Sequence, residues 1–254
     1  MCTEWPQQKQ GKAHEEKAWE ERRTALKLLL GSSLALGTVS LSAPQRAHAA
    51  ALTREQRDQL TPDQVVEMLQ AGNERFRTGK MQAHDYLAQK RTSAGGQYPA
   101  AAILSCIDSR APAEILLDTG IGDTFNARVA GNIANDDIIG SLEFACAAAG
   151  AKVVLVMGHT ACGAIKGAID NVELGNLTAL LAKIRPAVKA AKFDGERSSK
   201  NSAFVDAVAR KNVELTMAHL LAKSPVLREL QSKRAIKVAG AMYNLETAVV
   251  EFFA

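Results

Sequence analysis

Aromatic residues make up only 5% of this sequence, and cysteine is rarer still, with four residues in a chain of 254. The charges nearly balance, with 31 lysines and arginines against 27 acidic residues. No stretch combines clustered basic residues with interleaved aromatics, so we expect no nucleic-acid partner. From residue 50 onward no apolar run reaches about 18 residues, and we expect no stable membrane span in that part of the chain.

Cysteine is too scarce, and its count too uneven, for a disulfide framework. Cys2 lies in a leader-like segment, which leaves Cys106, Cys146 and Cys162, an odd number. Disulfide frameworks normally use an even number of cysteines. Cys146 lies in an apolar helical stretch, and we interpret it as a small buried hydrophobe.

The first 49 residues have the pattern of an export signal. Arg22-Arg23 precedes an apolar run over 28–41 that is diluted by glycine and serine, and Ala47-His48-Ala49 has the small-x-small pattern of a cleavage site. The segment resembles a bacterial twin-arginine signal, with a Sec signal or an uncleaved anchor as alternatives. We therefore predict a signal peptide over 1–49, export to the periplasm by the twin-arginine machinery, and a single domain over 50–254.

Beyond residue 50, helical and strand-like apolar patterns alternate. Predicted strands cover 100–104, 124–129, 152–157 and 235–243, with a further edge strand over 249–253. Predicted helices begin at Pro62, with Thr61 as N-cap, and cover 85–93, 112–117, 136–149, the residues after Cys162, 177–192, 202–223 and 225–232. This alternation predicts an α/β fold with a mainly parallel central sheet flanked by helices on both faces.

Metal-ligand side chains follow two of the predicted strands. Cys106 comes directly after the first strand, and His159 and Cys162 follow the strand over 152–157. Because functional residues gather beyond the carboxyl ends of parallel strands, we expect these three to converge. Two thiolates and one imidazole suit zinc, and three protein ligands leave a position for water, as in catalytic sites. Each residue taken alone is better explained by core packing, and only the three together favour a metal site.

Asp108 and Arg110 stand two residues apart, immediately after Cys106. The neighbouring guanidinium keeps a carboxylate ionised and can hold one of its oxygens in a fixed direction. Such an oxygen could accept the proton of a zinc-bound hydroxide. The alternative is a surface ion pair at the start of a helix, which contributes little.

Together these residues carry a family resemblance. The pattern Cys106-x-Asp108-x-Arg110 followed by His159-x-x-Cys162 resembles the signature of the β-class carbonic anhydrases. The likeness extends over about 62–253. It includes Gly72-Asn73-Glu74-Arg75-Phe76, Gln97 nine residues before Cys106, Phe125, Arg128 and Gly131-Asn132, in which Gln97, Phe125 and the Arg-x-x-Gly-Asn turn are similar to the plant-type subgroup.

The resemblance implies a lyase that hydrates carbon dioxide to bicarbonate and a proton, with a zinc-bound hydroxide as the attacking group. It implies one zinc per chain, bound by Cys106, His159 and Cys162, with Asp108 orienting the hydroxide and Arg110 holding Asp108. It also implies a dimer or a multiple of dimers, with active sites at subunit boundaries and N-terminal helices packing on the partner.

The resemblance assigns secondary roles as well. Gln97 would donate a hydrogen bond to a substrate oxygen, and Phe125 would wall an apolar pocket. An exposed loop residue and a core residue are the respective alternatives. His84 and His219 are interpreted as surface or helix residues, and neither is assigned as a proton shuttle.

Other functions remain open at this stage. A carbonyl sulfide or carbon disulfide hydrolase on the same scaffold is one alternative, and a non-catalytic structural or sensor zinc protein is another. The bicarbonate-regulated subgroup, in which Asp108 could move onto zinc, is the alternative to the plant type.

Overall fold

A five-stranded, mainly parallel sheet organises residues 50–253, the part of the chain that the computed structural model describes. Its strands are β1 (Ala101–Ser105), β2 (Thr124–Arg128), β3 (Val153–His159), β4 (Lys237–Tyr243) and β5 (Val250–Phe253). Their order is β2-β1-β3-β4-β5, and only β5 is antiparallel to its neighbour. The predicted fold class is confirmed, whereas the predicted signal peptide over 1–49, with Cys2 and Arg22-Arg23, lies outside the described residues.

Helices cover both faces of this sheet. In chain order they are α1 (Arg54–Gln59), α2 (Pro62–Arg77), α3 (Tyr86–Ser93), α4 (Ala113–Leu116), α5 (Asp136–Glu143), α6 (Gly163–Ile169), α7 (Gly175–Ala182), α8 (Arg185–Ala190), α9 (Ser202–Lys223) and α10 (Pro225–Ser232). A 3-10 turn, Ala130–Asn132, follows β2, and a π-helical turn, Phe144–Ala148, follows α5. Within 50–253, every helix is too short or too polar to cross a bilayer.

Alternate residues of each central strand enter two hydrophobic cores, one on each face of the sheet. On β1, Ala102 and Leu104 belong to the core that includes residues of α5 and α9. Ala101 and Ile103 belong to the core that includes residues of α2 and α4. Because both faces are covered, β1 and β3 are buried along their whole length. This explains why the strands are apolar throughout instead of alternating with polar residues.

Helix α2 begins as the sequence predicts. The Thr61 hydroxyl accepts a hydrogen bond from the Gln64 N–H at 3.2 Å, and the Gln64 side chain accepts one from the Thr61 N–H at 2.9 Å. Pro62 occupies the first turn, where its missing N–H is not needed. Val65 and Leu69 of this helix pack on the chain's own sheet. Packing of the N-terminal helices on a partner stays a prediction.

Two of the predicted helices differ from the structure. The helix predicted over 177–192 is two helices, α7 and α8, because Pro186 in the first turn of α8 has no N–H to continue the preceding helix. The helix predicted over 136–149 is α-helical only to Glu143 and then widens into the π-helical turn. Cys146 lies in that turn and is buried, as predicted. The sequence interpretation also missed α1, which begins with a capping box at Thr53.

The interpretation of His84 as a surface or helix residue is wrong. It precedes α3, and its side chain is only 4% exposed. Its Nε2 lies 3.1 Å from Oδ1 of Asp118, a buried carboxylate that also accepts a hydrogen bond from Arg75. The two partners are 34 residues apart in sequence, so no local pattern indicates the pairing. His219 is exposed on α9, as expected.

Gly158 lies where β3 passes close to α9. A Cβ atom at this position would come within 2.8 Å of both Val213 Cγ2 and Met242 Sδ. We predict that Gly158→Ala lowers the free energy of unfolding by about 1–3 kcal/mol, because overpacking forces these neighbours to shift. Urea denaturation measures the change.

Gly140→Ala is the matched control for this substitution. It lies on the exposed side of α5, where an added Cβ meets no atom within 4 Å. Alanine favours a helix over glycine there, so we expect an unchanged or higher unfolding midpoint. An unfolding midpoint for Gly158→Ala equal to that of the unsubstituted protein would contradict the close approach of strand and helix.

Candidate metal centre

The register between β1 and β3 brings the three predicted ligands to one edge of the sheet. Ser105 pairs with Met157, so Cys106 leaves β1 at the level where β3 continues to His159. Cys162 is the N-cap residue of α6, directly after the turn that ends β3. One ligand atom from each of the three side chains lies within 4.8 Å of the others, and the two sulfur atoms are 4.0 Å apart. All three side chains are buried, and the cysteines are not joined by a disulfide.

His159 is oriented as a metal ligand. Its Nδ1 lies 2.9 Å from the Thr160 carbonyl oxygen, and because a carbonyl only accepts, Nδ1 carries the proton. The buried Nε2 has no hydrogen-bond partner among the described residues. A buried polar atom without a partner is unfavourable, and a metal ion would supply the missing interaction. The second nitrogen of metal-bound histidines is fixed in this way by a carbonyl or carboxylate.

The two thiols differ in acidity. The hydrogen bond with Cys162 lowers the pKa of Cys106 to about 4, with a further contribution from the Gly131 N–H, and these effects outweigh the opposing effect of burial. The same interaction with Cys106, together with burial, raises the pKa of Cys162 well above its usual value. A metal ion binds the thiolate form of both cysteines, so metal binding is coupled to release of the proton that the pair shares. Both are soft ligands that suit zinc.

The 3-10 turn Ala130–Asn132 lies beside the Cys106 sulfur. The Gly131 N–H donates a hydrogen bond to Sγ at 3.3 Å. Gly131 has a positive φ of 66°, and a Cβ there would lie 2.5 Å from Ile184 Cδ1. Only glycine fits this position without strain, which gives a physical reason for the glycine of the Arg-x-x-Gly-Asn pattern.

Asp108 is held as an ionised carboxylate beside the ligands. The side chain of Arg110 donates to both carboxylate oxygens, at 3.0 and 2.8 Å, and the Arg110 N–H donates at 3.0 Å. The Arg110 side chain is the main reason that the pKa of Asp108 lies far below its usual range. Oδ2 of Asp108 lies 3.8 Å from Nε2 of His159, so the carboxylate reaches the metal centre.

Arg128 holds the backbone of the loop from Cys106 to Asp108. Its Nε donates to the Cys106 carbonyl oxygen at 3.0 Å, and its Nη2 donates to the Asp108 carbonyl oxygen at 2.6 Å. Arg128 ends β2, next to β1 in the sheet. A side chain from the neighbouring strand therefore braces the loop that carries both Cys106 and Asp108.

Gln97 and Phe125 do not join this centre within one chain. Gln97 is exposed in the loop before β1, whereas Cys106 follows the other end of that strand, about 16 Å away at 3.3 Å per residue. Phe125 pairs with Ala102 near the start of β2. Its ring lies 6.1 Å from that of Phe144, which is 55% exposed. Their roles at a substrate stay predictions.

The sequence interpretation missed two residues of α9 that contact the loops of the centre. Oδ1 of Asp206 accepts a hydrogen bond from the Ala161 N–H at 3.0 Å. Nδ2 of Asn212 donates to the Gly131 carbonyl oxygen at 2.7 Å. Asn212 is only 3% exposed and stands beside valines of the core. A polar residue at a core position of an apolar helix is the signal that could have indicated it.

These features define an α/β metalloprotein with a Cys-His-Cys centre at the carboxyl edge of its sheet. The family model described as carbonic anhydrase matches residues 101–250, which is more than half of the chain. Carbonic anhydrase 2 of Mycobacterium tuberculosis is 32% identical over 184 residues, covering 70% of this chain and 86% of the relative. A carbon disulfide hydrolase of Acidithiobacillus thiooxidans is 33% identical over 104 residues, covering 38% of this chain and 48% of that protein.

A solved structure agrees with these matches. One of two tetrameric β-carbonic anhydrases from the ascomycete Sordaria macrospora aligns with a TM-score of 0.55 and 27% identity, covering 63% of this chain and 83% of that chain. The chain belongs to the carbonic anhydrase family, in its β class. The resemblance that the zinc motif indicates is confirmed.

The donor set predicts one zinc ion per chain in the purified protein. Because Cys162 supplies one of three ligands, Cys162→Ala should lose most bound zinc, whereas Cys146→Ala, at a buried thiol outside the centre, should keep it. Elemental analysis by mass spectrometry measures the zinc content. Folded protein without stoichiometric zinc, or equal zinc in the two variants, would contradict the assignment.

Proposed function

We propose that this protein catalyses the reversible hydration of carbon dioxide to bicarbonate and a proton. The observation that carries the proposal is the ionised Asp108, held at the edge of a three-ligand centre in a member of this family. The M. tuberculosis relative is named a carbonic anhydrase. No other group of side chains within residues 50–253 offers three metal-ligand atoms close together.

Cys106, His159 and Cys162 would hold the zinc ion. Three protein donors are the number found in catalytic zinc sites, whereas structural sites usually have four. When bound there, zinc supplies Lewis-acid chemistry that lowers the pKa of a water molecule toward about 7. The thiolates place negative charge at the centre, and the proton on Nδ1 of His159 keeps its Nε2 lone pair directed at the ligand set.

Asp108 would orient the attacking water. An ionised carboxylate only accepts hydrogen bonds, so it holds the proton of the water and leaves the oxygen lone pair for the substrate carbon. The exposed side chain of Arg110 donates a hydrogen bond to each carboxylate oxygen and so fixes the direction of the carboxylate. Because the pKa of Asp108 is far below its usual range, this acceptor stays ionised at neutral pH.

A second candidate is hydrolysis of carbon disulfide. It is supported by the partial match to a named carbon disulfide hydrolase. Carbon dioxide hydration is preferred because the relatives with longer coverage are named carbonic anhydrases. A purely structural zinc site is disfavoured, since it gains nothing from an ionised carboxylate that Arg110 directs toward the metal ligands.

The plant-type subgroup is our proposal over the bicarbonate-regulated one. Gln97 matches the plant-type position, and three hydrogen bonds from Arg110 hold Asp108 away from the role of a fourth ligand. A closed form in which Asp108 binds zinc would have to break all three.

We also propose that the active unit is a dimer or a multiple of dimers. Phe125 pairs with Ala102, four residues before Cys106, and Gln97 precedes the whole of β1, so a role at a substrate requires a second copy. Phe125 and the exposed Phe144 line a pocket of about 360 Å³ beside the edge strand β2, an apolar surface suited to such a contact. The S. macrospora enzymes are described as tetrameric.

Asp108→Asn tests the proposed reaction. The substitution keeps the size of the side chain and all three zinc ligands, but removes the charge and one acceptor oxygen. We predict unchanged zinc content and a fall in kcat/KM for carbon dioxide hydration of about 10²-fold or more. Stopped-flow measurement with a pH indicator reports the rate.

Asp63→Asn is the control for loss of a carboxylate. Asp63 is 77% exposed and pairs with Lys237, far along the chain from the centre. It should leave the hydration rate unchanged. A zinc-loaded Asp108→Asn variant that hydrates carbon dioxide at the unsubstituted rate would contradict the role of Asp108.

Export to the periplasm by the twin-arginine route is a separate proposal, supported by Arg22-Arg23 and the apolar run after it. We predict that residues 1–50 carry a fused, folded reporter to the periplasm and that replacing both arginines by lysine abolishes this. Fractionation of bacterial cells measures the distribution. Export that persists in the lysine variant would indicate a Sec signal. If the fusion with Arg22-Arg23 and its lysine variant both stay in the cytoplasm, the segment is not an export signal.

A further inference from the structure

Helix α9 contacts two turns beside the metal ligands. One turn is Ala130–Asn132, from which the Gly131 N–H donates to the Cys106 sulfur, and the other lies between His159 and Cys162. Asn212 reaches the first turn and Asp206 reaches the second. No other helix in the described range donates or accepts a side-chain hydrogen bond at either turn.

The contact through Asn212 is a two-step chain that ends on sulfur. Its Nδ2 donates to the Gly131 carbonyl oxygen at 2.7 Å, and the Gly131 N–H donates to Cys106 Sγ at 3.3 Å. Asn212 is 3% exposed, so water does not compete effectively for its amide. Ile184 packs close beside Gly131, where an added Cβ would come within 2.5 Å of its Cδ1. The carbonyl and the N–H belong to the two peptide groups on either side of the Gly131 Cα, so the Asn212 amide holds the turn in the conformation in which that N–H faces the Cys106 sulfur.

The contact through Asp206 holds a strained residue. Ala161 has a positive φ of 54°, in the left-handed region that alanine disfavours. The Ala161 N–H donates to Oδ1 of Asp206 at 3.0 Å. Ala161 lies between His159 and Cys162, so relaxation of its backbone would change the distance between these two ligands. The carboxylate of Asp206 opposes that relaxation.

Helix α9 is itself firmly anchored. It has 22 residues, and its buried side chains Phe204, Val205, Val208 and Val213 belong to the core on one face of the sheet. Val213 also lies against Gly158, next to His159 on β3. The helix is therefore fixed to the same sheet that positions the ligands.

We propose that Asn212 and Asp206 are positioning residues for the metal centre, through which α9 sets the separation of Cys106 from the His159–Cys162 pair. The inference deepens the proposed function but rests only on its metal centre. It predicts metal affinity and ligand geometry, so it can fail or hold independently of carbon dioxide hydration.

Zinc affinity and the spectrum of the cobalt-substituted protein test the proposal. Asn212→Leu keeps the branched shape of the side chain and removes the amide donor, and Asp206→Ala removes the acceptor. For both we expect zinc affinity, measured by competition with a chromophoric chelator, to fall about 10- to 100-fold. The thiolate-to-cobalt absorption bands should shift, because they report ligand geometry. Asp206→Asn keeps an acceptor oxygen and should restore both readouts.

Val208→Ala is the control for general destabilisation. It lies on the same helix, four residues before Asn212, is fully buried, and touches neither turn through a side-chain hydrogen bond. We expect a lower unfolding midpoint with unchanged zinc affinity and cobalt spectrum. Zinc affinity and spectra of Asn212→Leu and Asp206→Ala that match those of Val208→Ala would overturn the proposal. If Asn212→Leu does not fold, the Asp206→Ala and Asp206→Asn pair decides.

The positioning role and the proposed function can be tested separately. If the protein does not hydrate carbon dioxide, but Asn212→Leu and Asp206→Ala weaken metal binding and shift the cobalt spectrum, the positioning role holds and the proposed function is wrong. If the protein hydrates carbon dioxide, but both variants bind metal normally, the proposed function holds and the positioning role is wrong.

Discussion

The parallel register of β1 and β3 is the constraint on which the rest of this site depends. It places the ends of both strands at the same edge of the sheet, so that Cys106 and His159 meet although 53 residues separate them. A shift of the register by one residue would exchange the side chains of β1 between the core that α9 completes and the core that α2 completes, so that each would meet the wrong neighbours. The hydrophobic cores therefore fix the register, and through it the distance between the ligands. Besides this register, the metal centre depends on the turn Ala130–Asn132 after β2 and on the turn between His159 and Cys162 after β3.

The second constraint is electrostatic. Two sulfurs and an imidazole lie in the protein interior, where polar groups without partners are unfavourable. Most of these groups have hydrogen-bond partners nearby. The Thr160 carbonyl accepts a hydrogen bond from Nδ1 of His159, and the Gly131 N–H donates to the Cys106 sulfur. Arg128 donates to the backbone carbonyls of Cys106 and Asp108. The Nε2 atom of His159 keeps no partner within the described chain. A metal ion at this point links folding to metal binding, because it favours only the folded arrangement.

The fold could be predicted from the sequence because its strands are continuous apolar runs and its helices carry local start signals, such as Thr61-Pro62. The ligands could be predicted because two short motifs each follow a strand, and topology alone brings strand ends together. The remainder depends on contacts between distant residues. Asn212 meets Gly131 across 81 residues, Asp206 meets Ala161 across 45, and His84 meets Asp118 across 34. The division of 177–192 into two helices was visible locally, since Pro186 interrupts the helical hydrogen bonds. The proposed roles of Gln97 and Phe125 would depend on contact with a second copy of the chain, which no local pattern in the sequence describes.

The central claim is that the Cys106, His159 and Cys162 centre, with Asp108 beside it, makes this protein a zinc-dependent hydratase of carbon dioxide. The most direct measurement is the stopped-flow hydration rate of the unsubstituted protein, stripped of metal by a chelator and then titrated with zinc. Carbonyl sulfide and carbon disulfide are tested in parallel. We predict that the carbon dioxide rate rises in proportion to bound zinc and saturates at one ion per chain. A zinc-saturated protein that hydrates carbon dioxide no faster than buffer would contradict the account.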